Sequence, residues 1–240
     1  MRQRGQASTE WVALLCVVAG AVAALSAVVA HALAATLGRD SSAHSRQSPP
    51  TDEDAAVAAR WAPRIVFERG MRDHPVDPRA CRIRACAEAS GPPVLFTHVV
   101  HRGATTYIQY WAYWPDSSWH GIAGRHADDW ESFQVRVDPD GTAYARASAH
   151  HGYTGHRVGP DLNVNQVDPQ WVPQRWRAAW IPWQGGYRVA KNSHAGFVTS
   201  AAGGTPPLLV TLDPWAMPAD YAITPPWRKA VYADPASFAT

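Results

Sequence analysis

Four residues within six positions concentrate the chemistry of this chain: His126, Asp128, Asp129 and Glu131. They follow an aromatic run, Thr105–Trp114, that stops at Pro115 and Asp116. In an extended segment, residues two apart point the same way, so Asp129 and Glu131 share one face while Asp128 and Trp130 share the other. Two carboxylates on one face repel unless a proton or a cation lies between them. A divalent metal removes that cost. His126, three positions before Asp129, can reach the same ion from a loop, and Asp116 completes the set if the two strands are neighbours. One imidazole with three carboxylates is an oxygen-rich donor set, suited to Mg²⁺, Ca²⁺ or Mn²⁺ rather than to structural zinc. The competing reading is a surface loop of acids neutralised by Arg125 and water.

Other side chains border this group. Asp128, His150, His151, His194 and Tyr113 are candidate pocket-lining residues; His150 and His151 belong to a histidine patch that also includes His156. His194, after Ser193 and two positions before Gly196, sits at a strand end where it can meet the carboxylates. A Ser193–His194–Asp129 hydrolytic triad is disfavoured, because no GxSxG elbow is present. Trp171, Trp176, Trp180 and Trp183 either form a membrane- or sugar-binding surface or fill core gaps beneath long loops, and the second reading is expected.

The elements that must hold these residues read as β structure. Val94–Val100 is a buried strand by its apolar run. In Thr105–Trp114, Ile108, Tyr110, Ala112 and Trp114 alternate with Tyr107, Gln109, Trp111 and Tyr113. Neither face is polar, so a central strand covered on both sides is expected, with Pro115 ending it. Trp130–Val137 alternates, Asp138-Pro139-Asp140-Gly141 is a turn, and Thr142–His150 returns as a hairpin. Tyr187–Ala190 and Leu208–Leu212 are two further strands. Residues 64–93 read as irregular and residues 152–183 as long loops. Thr51 should cap a short Ala-rich helix that stops before Pro63. The fold class is therefore mainly β: an antiparallel β-sandwich with long loops and a few short helices.

Composition agrees. Of 240 residues, 12 are Trp and 20 are Pro, and the only lysines are Lys191 and Lys229. That balance suits a loop-rich β domain rather than a helical bundle. The net charge is +2 and no basic run interleaves with aromatics, which argues against nucleic acid as partner.

The N-terminus differs from the rest. Arg2 and Arg4 precede about 20 uncharged residues, Trp11–Ala30, enough to span a bilayer as a helix. The charge bias keeps the N-terminus cytoplasmic and puts the remainder outside. The expected organisation is a leader and transmembrane helix over residues 1–38, a flexible linker over 39–51, and a β-sandwich over 52–240. A cleaved secretory signal is the alternative, giving a secreted domain. Either way the environment is oxidising, so Cys81 and Cys86 are expected to form a local disulfide. Cys16 lies in the apolar segment as a small hydrophobe.

Two resemblances add to this reading. RGQASTEW, with Gly5, Gln6 and Glu10 leading an apolar helix, resembles the prepilin-type leader of Flp-like (Tad) pilins. That likeness implies cleavage between Gly5 and Gln6 and an assembly role for Glu10. YIQYWAYWPD and GRHADDWES resemble the paired motifs of the necrosis- and ethylene-inducing peptide-like protein superfamily and of the vacuolar protein sorting-associated 62 group. AHHGY at 149–153 and VAKNSHAGF around His194 are further similar patches. In the first family a divalent cation is held by Asp, His, Asp and Glu, which fall here at Asp116, His126, Asp129 and Glu131. The loop between Asp116 and His126 differs in length, and Ala127-Asp128 replaces a basic-aromatic pair.

The resemblance implies binding of a glycosylated lipid headgroup at a membrane surface. The expected function is a membrane-anchored extracytoplasmic domain with a divalent-metal site that binds a lipid headgroup, glycan or other envelope ligand. A metal-dependent hydrolase, with His194 or Asp128 as base, and a pseudopilin-like subunit of a pilus or envelope assembly are the alternatives.

Overall fold

The computed structural model of the chain describes residues 51–118, 125–149, 152–154 and 180–236. Its first element, helix α1 (Asp52–Arg60), starts where the capping signal places it. The Asp54 N–H donates to Thr51 Oγ1 at 3.1 Å and the Thr51 N–H to Asp54 Oδ2 at 3.2 Å, a reciprocal capping box. Asp52, Glu53 and Asp54 lie against the positive end of the helix dipole.

Two sheets follow. The larger holds β2 (Val94–Arg102), β3 (Thr105–Ser117), β4 (His126–Val137), β5 (Ala143–Ala149), β6 (Gly152–Thr154), β7 (Ile181–Pro182) and β10 (Leu208–Thr211). Their order is β10-β2-β3-β4-β5-β6, with β7 also paired to β5. The smaller sheet is β1-β8-β9, from β1 (Arg64–Phe67), β8 (Gly185–Val189) and β9 (Gly196–Ser200). Helices α2 (Arg84–Ala87) and α3 (Ala230–Ala233) are single turns.

The β4–β5 hairpin forms as its sequence dictates. The Asp138 N–H donates to the Thr142 carbonyl at 2.9 Å, and Gly141 closes the turn at φ 82°, a backbone region that favours glycine.

Three sequence expectations are corrected. The sheets are mixed rather than purely antiparallel: β1 runs parallel to β8 and β10 parallel to β2. Each parallel pair joins stretches far apart in the chain, which supply the long crossovers that parallel strands need. Residues 64–93 are not simply irregular, since they contain β1 and α2, each too short to show a period. Finally, Pro115 does not end β3. Trp114 pairs with Asp129 and Asp116 with Ala127, and the missing rung between them falls opposite Asp128, whose φ is 60°. A proline survives in a strand where its absent N–H coincides with an absent ladder bond.

β3 is the central strand that its two apolar faces require. Ile108, Tyr110, Ala112 and Trp114 join Phe133, Tyr187, Val189 and Val198 in a core between the sheets. On the outer face, Trp111, Tyr113 and Trp130 pack with Val76, Leu212, Met217, Val231 and Tyr232, so the C-terminal segment covers the larger sheet. Gln109, buried in that cover, donates to the Val231 carbonyl at 2.7 Å. Trp180 and Trp183 fill gaps: Trp183 packs on Phe133, and Trp180 lies tilted against Tyr107 with the Arg146 guanidinium over its ring. Trp171 and Trp176 lie outside the described residues.

Among the described residues, no helix is long and apolar enough to cross a membrane. The expected transmembrane segment, the leader residues Gly5, Gln6 and Glu10, and all but the last residue of the linker lie outside them.

Candidate functional site

β4 delivers Asp129 and Glu131 to the inter-sheet face and Asp128 and Trp130 to the outer face, as alternation requires. The two neighbouring aspartates consequently meet different partners. Asp128 is buried and fully engaged. Arg82 reaches its two oxygens at 2.9 Å each, Tyr113 donates its hydroxyl at 2.7 Å, and the Ala222 N–H donates at 2.7 Å. Burial would raise the Asp128 pKa, but these donors outweigh it and hold the carboxylate below its ordinary range. Tyr113 and Asp128 thus build a structural clamp with Arg82 on the outer face. Both therefore lie on the opposite face of β4 and β3 from Asp129 and Glu131.

Asp129, 5% exposed, faces the smaller sheet. Its Oδ2 lies 2.7 Å from His194 Nδ1, and His194 Nε2 lies 3.0 Å from Asp73 Oδ2. The His194 ring stacks on Trp114 with centroids 4.3 Å apart and planes 4° from parallel. Burial alone would lower the histidine pKa; the two carboxylates overcome that and raise it to about 9. Burial would raise the Asp73 pKa, but the hydrogen bond and charge of His194, with a smaller contribution from Arg84, together lower it. His194 is therefore a buried imidazolium bridging two carboxylates, with both nitrogens engaged.

The backbone forces it there. Asn192 and His194 both take positive φ, 69° and 53°, in the β8–β9 connection. That connection is bolted to the end of β3 by the Ser118 N–H, which donates to the Asn192 carbonyl at 2.8 Å. A non-glycine residue in this region costs about 1 kcal/mol, which the two carboxylate contacts offset. Two residues later, a Cβ at Gly196 would stand 2.5 Å from the Tyr187 ring and 3.0 Å from the Ser148 carbonyl, so only glycine lets the hairpin approach β5.

Glu131 is half-buried and accepts a hydrogen bond from Ser148 Oγ. Burial, and then the charge of Asp129, push its carboxyl well above the ordinary range. This is the like-charge pair that strand alternation anticipates. Lys229, from the C-terminal cover, sits with Nζ 3.5 Å from the Trp130 carbonyl oxygen, and its charge favours ionised Glu131. Burial in turn lowers the lysine pKa.

The other two expected ligands stand further out. His126 Nε2 is 3.9 Å from Asp129 Oδ1. Asp116 is turned to Arg84, which reaches its Oδ2 from Nε at 3.0 Å and from a terminal nitrogen at 2.9 Å. Among the described residues, no group of three or more His, Cys, Asp or Glu side chains is arranged to hold a metal ion. The donor chemistry suits a hard divalent cation, and the Asp129–Glu131 repulsion would be relieved by one; Asp116 joins them only on leaving Arg84. His150 and His151 lie outside the described residues.

Cys81 and Cys86 form a disulfide, with Cα atoms 6.3 Å apart. The ring it closes carries both arginines, Arg82 for Asp128 and Arg84 for Asp116. Arg82, Arg84, Asp73, Ser148 and Lys229 escaped the sequence reading. Only the arginines had a visible signal, their position between the two cysteines.

Comparison with solved structures shows what the fold resembles. A structure of NLPPya in complex with glucosamine is similar at a TM-score of 0.52 and 20% identity, covering 81% of this chain and 93% of that one. A mutant of NLPPya gives 0.49 and 18%, with the same coverage of 81% and 93%. Necrosis and Ethylene inducing Protein 2, from the causal agent of cocoa's Witches Broom disease, gives 0.44 and 16%, over 70% of this chain and 78% of that one. No family model and no curated protein matches the chain. The fold is thus like that of the necrosis and ethylene inducing proteins, as the paired motifs lead one to expect.

Proposed function

We propose that this protein is an extracytoplasmic, membrane-tethered binding module that engages a glycan or a glycosylated lipid headgroup at the end of the sandwich marked by Asp129 and Glu131. The observation that carries the reading is the Asp129–Glu131 pair itself. Two acids are held close on one face, one fixed by His194 and the other resisting ionisation. Such a pair is costly unless a ligand uses it. Sugar hydroxyls and amines are donors that carboxylates accept, and the similar NLPPya structure is in complex with glucosamine. The Cys81–Cys86 disulfide supports an oxidising compartment.

In this reading His126, Asp129 and Glu131, joined by Asp116, hold a divalent cation, Mg²⁺ or Ca²⁺. When bound, the ion would supply positive charge to a headgroup oxygen. The protein's own part is to fix Asp129 through the His194–Asp73 bridge and to orient Glu131 through Ser148. The hydrolase alternative would need a free base, and both nitrogens of His194 are engaged here.

Calorimetry on the full-length protein in non-ionic detergent tests the proposal, titrating Ca²⁺, Mg²⁺ and then glucosamine. The Asp129→Ala, Glu131→Ala double variant should keep its near-ultraviolet circular dichroism and lose at least about tenfold in cation affinity. Unchanged affinity for both ions and for glucosamine in the double variant would sink the reading.

A further inference from the structure

A row of polar side chains crosses four strands on the outer face of the larger sheet. His98 on β2 pairs with Gln109 on β3, Gln109 with Gln134 on β4, and Gln134 with Arg146 on β5. Gln109, Gln134 and Arg146 are fully buried. The row reads main-chain carbonyls of the C-terminal segment. Gln109 Nε2 donates to the Val231 carbonyl at 2.7 Å and to that of Tyr232 at 3.3 Å. Arg146, whose Nε donates to Gln134 Oε1 at 2.8 Å, gives a terminal N–H to the Pro235 carbonyl at 2.8 Å. Arg102, at the end of β2, donates to the Ala233 carbonyl at 2.7 Å. Among the described residues, no main-chain hydrogen bond joins this segment to a strand. Its own N–H groups close a turn instead, Tyr232 to the Lys229 carbonyl and Asp234 to the Ala230 carbonyl, both at 3.0 Å. Residues 230–236 are thus held as a peptide ligand is held, by side chains and by the burial of Val231 and Tyr232. They can leave without breaking a rung of either sheet.

His98, at one end of the row, is the member whose charge changes in mild acid. Its ring lies flat against Tyr232, with centroids 3.8 Å apart and planes 8° from parallel, and its Nδ1 is 3.4 Å from Gln109 Oε1. Two charges lie around it. Asp54 acts from α1 and is hydrogen-bonded to His101 at 3.0 Å. Arg102, on the same strand, is taken up by the Ala233 carbonyl and stands 3.9 Å from Asp234. Gln109 and Asp54 favour a charged ring, but burial outweighs both and lowers the His98 pKa to about 4.

We propose that residues 230–236 form an acid-released strap with His98 as its latch, so that protonation of the ring frees the strap while both sheets stay folded. The closed strap favours neutral imidazole. Lifting it returns the ring to water, where the pKa is about 6.5, so the open form takes the proton and grows as pH falls below that value. Between pH 7 and pH 5 the open share should rise roughly twentyfold.

Amide hydrogen exchange on the full-length protein in non-ionic detergent, at pH 7 and pH 5 with small additions of urea, tests this. The Tyr232 and Asp234 N–H groups should exchange through an opening that urea hardly changes, well ahead of the amides of β3 and β4. Their protection, corrected for the intrinsic pH dependence of exchange, should fall roughly twentyfold at pH 5. His98→Phe keeps a flat ring against Tyr232 and takes no proton, and His98→Gln is a second neutral replacement; both should lose the acid step. Equal protection and equal urea dependence in strap and strands would mean that the strap opens only with the whole fold, which overturns the proposal. An acid step that persists in both variants overturns His98 as the latch.

Discussion

Asp128 and Asp129 are adjacent, both 5% exposed, and serve opposite ends. Asp128 is a structural anion whose partners complete its hydrogen bonding, whereas Asp129 faces an imidazolium and a second carboxylate. Removing one partner of a buried ion pair costs more than the pair contributes, because a charge is left stranded. Arg82→Met should therefore destabilise the protein by roughly 2–3 kcal/mol, somewhat below the fully buried case because Arg82 is partly exposed. Thermal denaturation checks this, and a melting temperature unmoved by the change would contradict it. His98 gives a pH signature. It stacks on Tyr232 with centroids 3.8 Å apart, and burial lowers its pKa to about 4. In the unfolded chain the pKa is about 6.5, so between those values the unfolded state binds the extra proton. Stability from this group is intact above pH ~6.5 and falls as pH drops toward 4, by up to roughly 3 kcal/mol. Urea titrations from pH 7 to 4 should show that decline, and His98→Gln should flatten it.

At the scale of elements, the short ring closed by Cys81 and Cys86 presents Arg82 to one face of β4 and Arg84 to the end of β3. Replacing both cysteines by serine should cost about 2 kcal/mol through the loss of a short-loop constraint. The same change should loosen both arginine contacts. Reduction of the wild type should give the same loss of melting temperature as the double serine variant; a reduced protein as stable as the oxidised one would contradict the ring's role. Elements whose signal is local were legible in the sequence. The β4–β5 hairpin followed from Asp138-Pro139-Asp140-Gly141, α1 from Thr51, and the two faces of β3 from strict alternation. Asp129 and Glu131 were legible for the same reason. Asp73, Ser148 and Lys229 were not, because each meets the site only through pairing between distant stretches. Pro115 misled, since whether a proline ends a strand depends on the hydrogen bond its neighbour would have offered.

Across the whole molecule, both parallel pairs join segments made early to segments made late: β1 with β8, and β2 with β10. The outer face of the larger sheet is covered by Leu212, Met217, Val231 and Tyr232. Tyr232→Ala should remove about 3 kcal/mol, read as a lower urea midpoint, through lost burial over β2 and β3. A midpoint within error of the parent would show that the cover adds little.

That cover has a consequence for the order of events in the cell. Its residues are made well after the strands they cover, and without them Trp111, Tyr113 and Trp130 lose much of their lid. The larger sheet therefore cannot close its outer face until the stretch from Leu212 to Tyr232 has left the ribosome, so β2, β3 and β4 wait half-covered while more than 70 further residues are made.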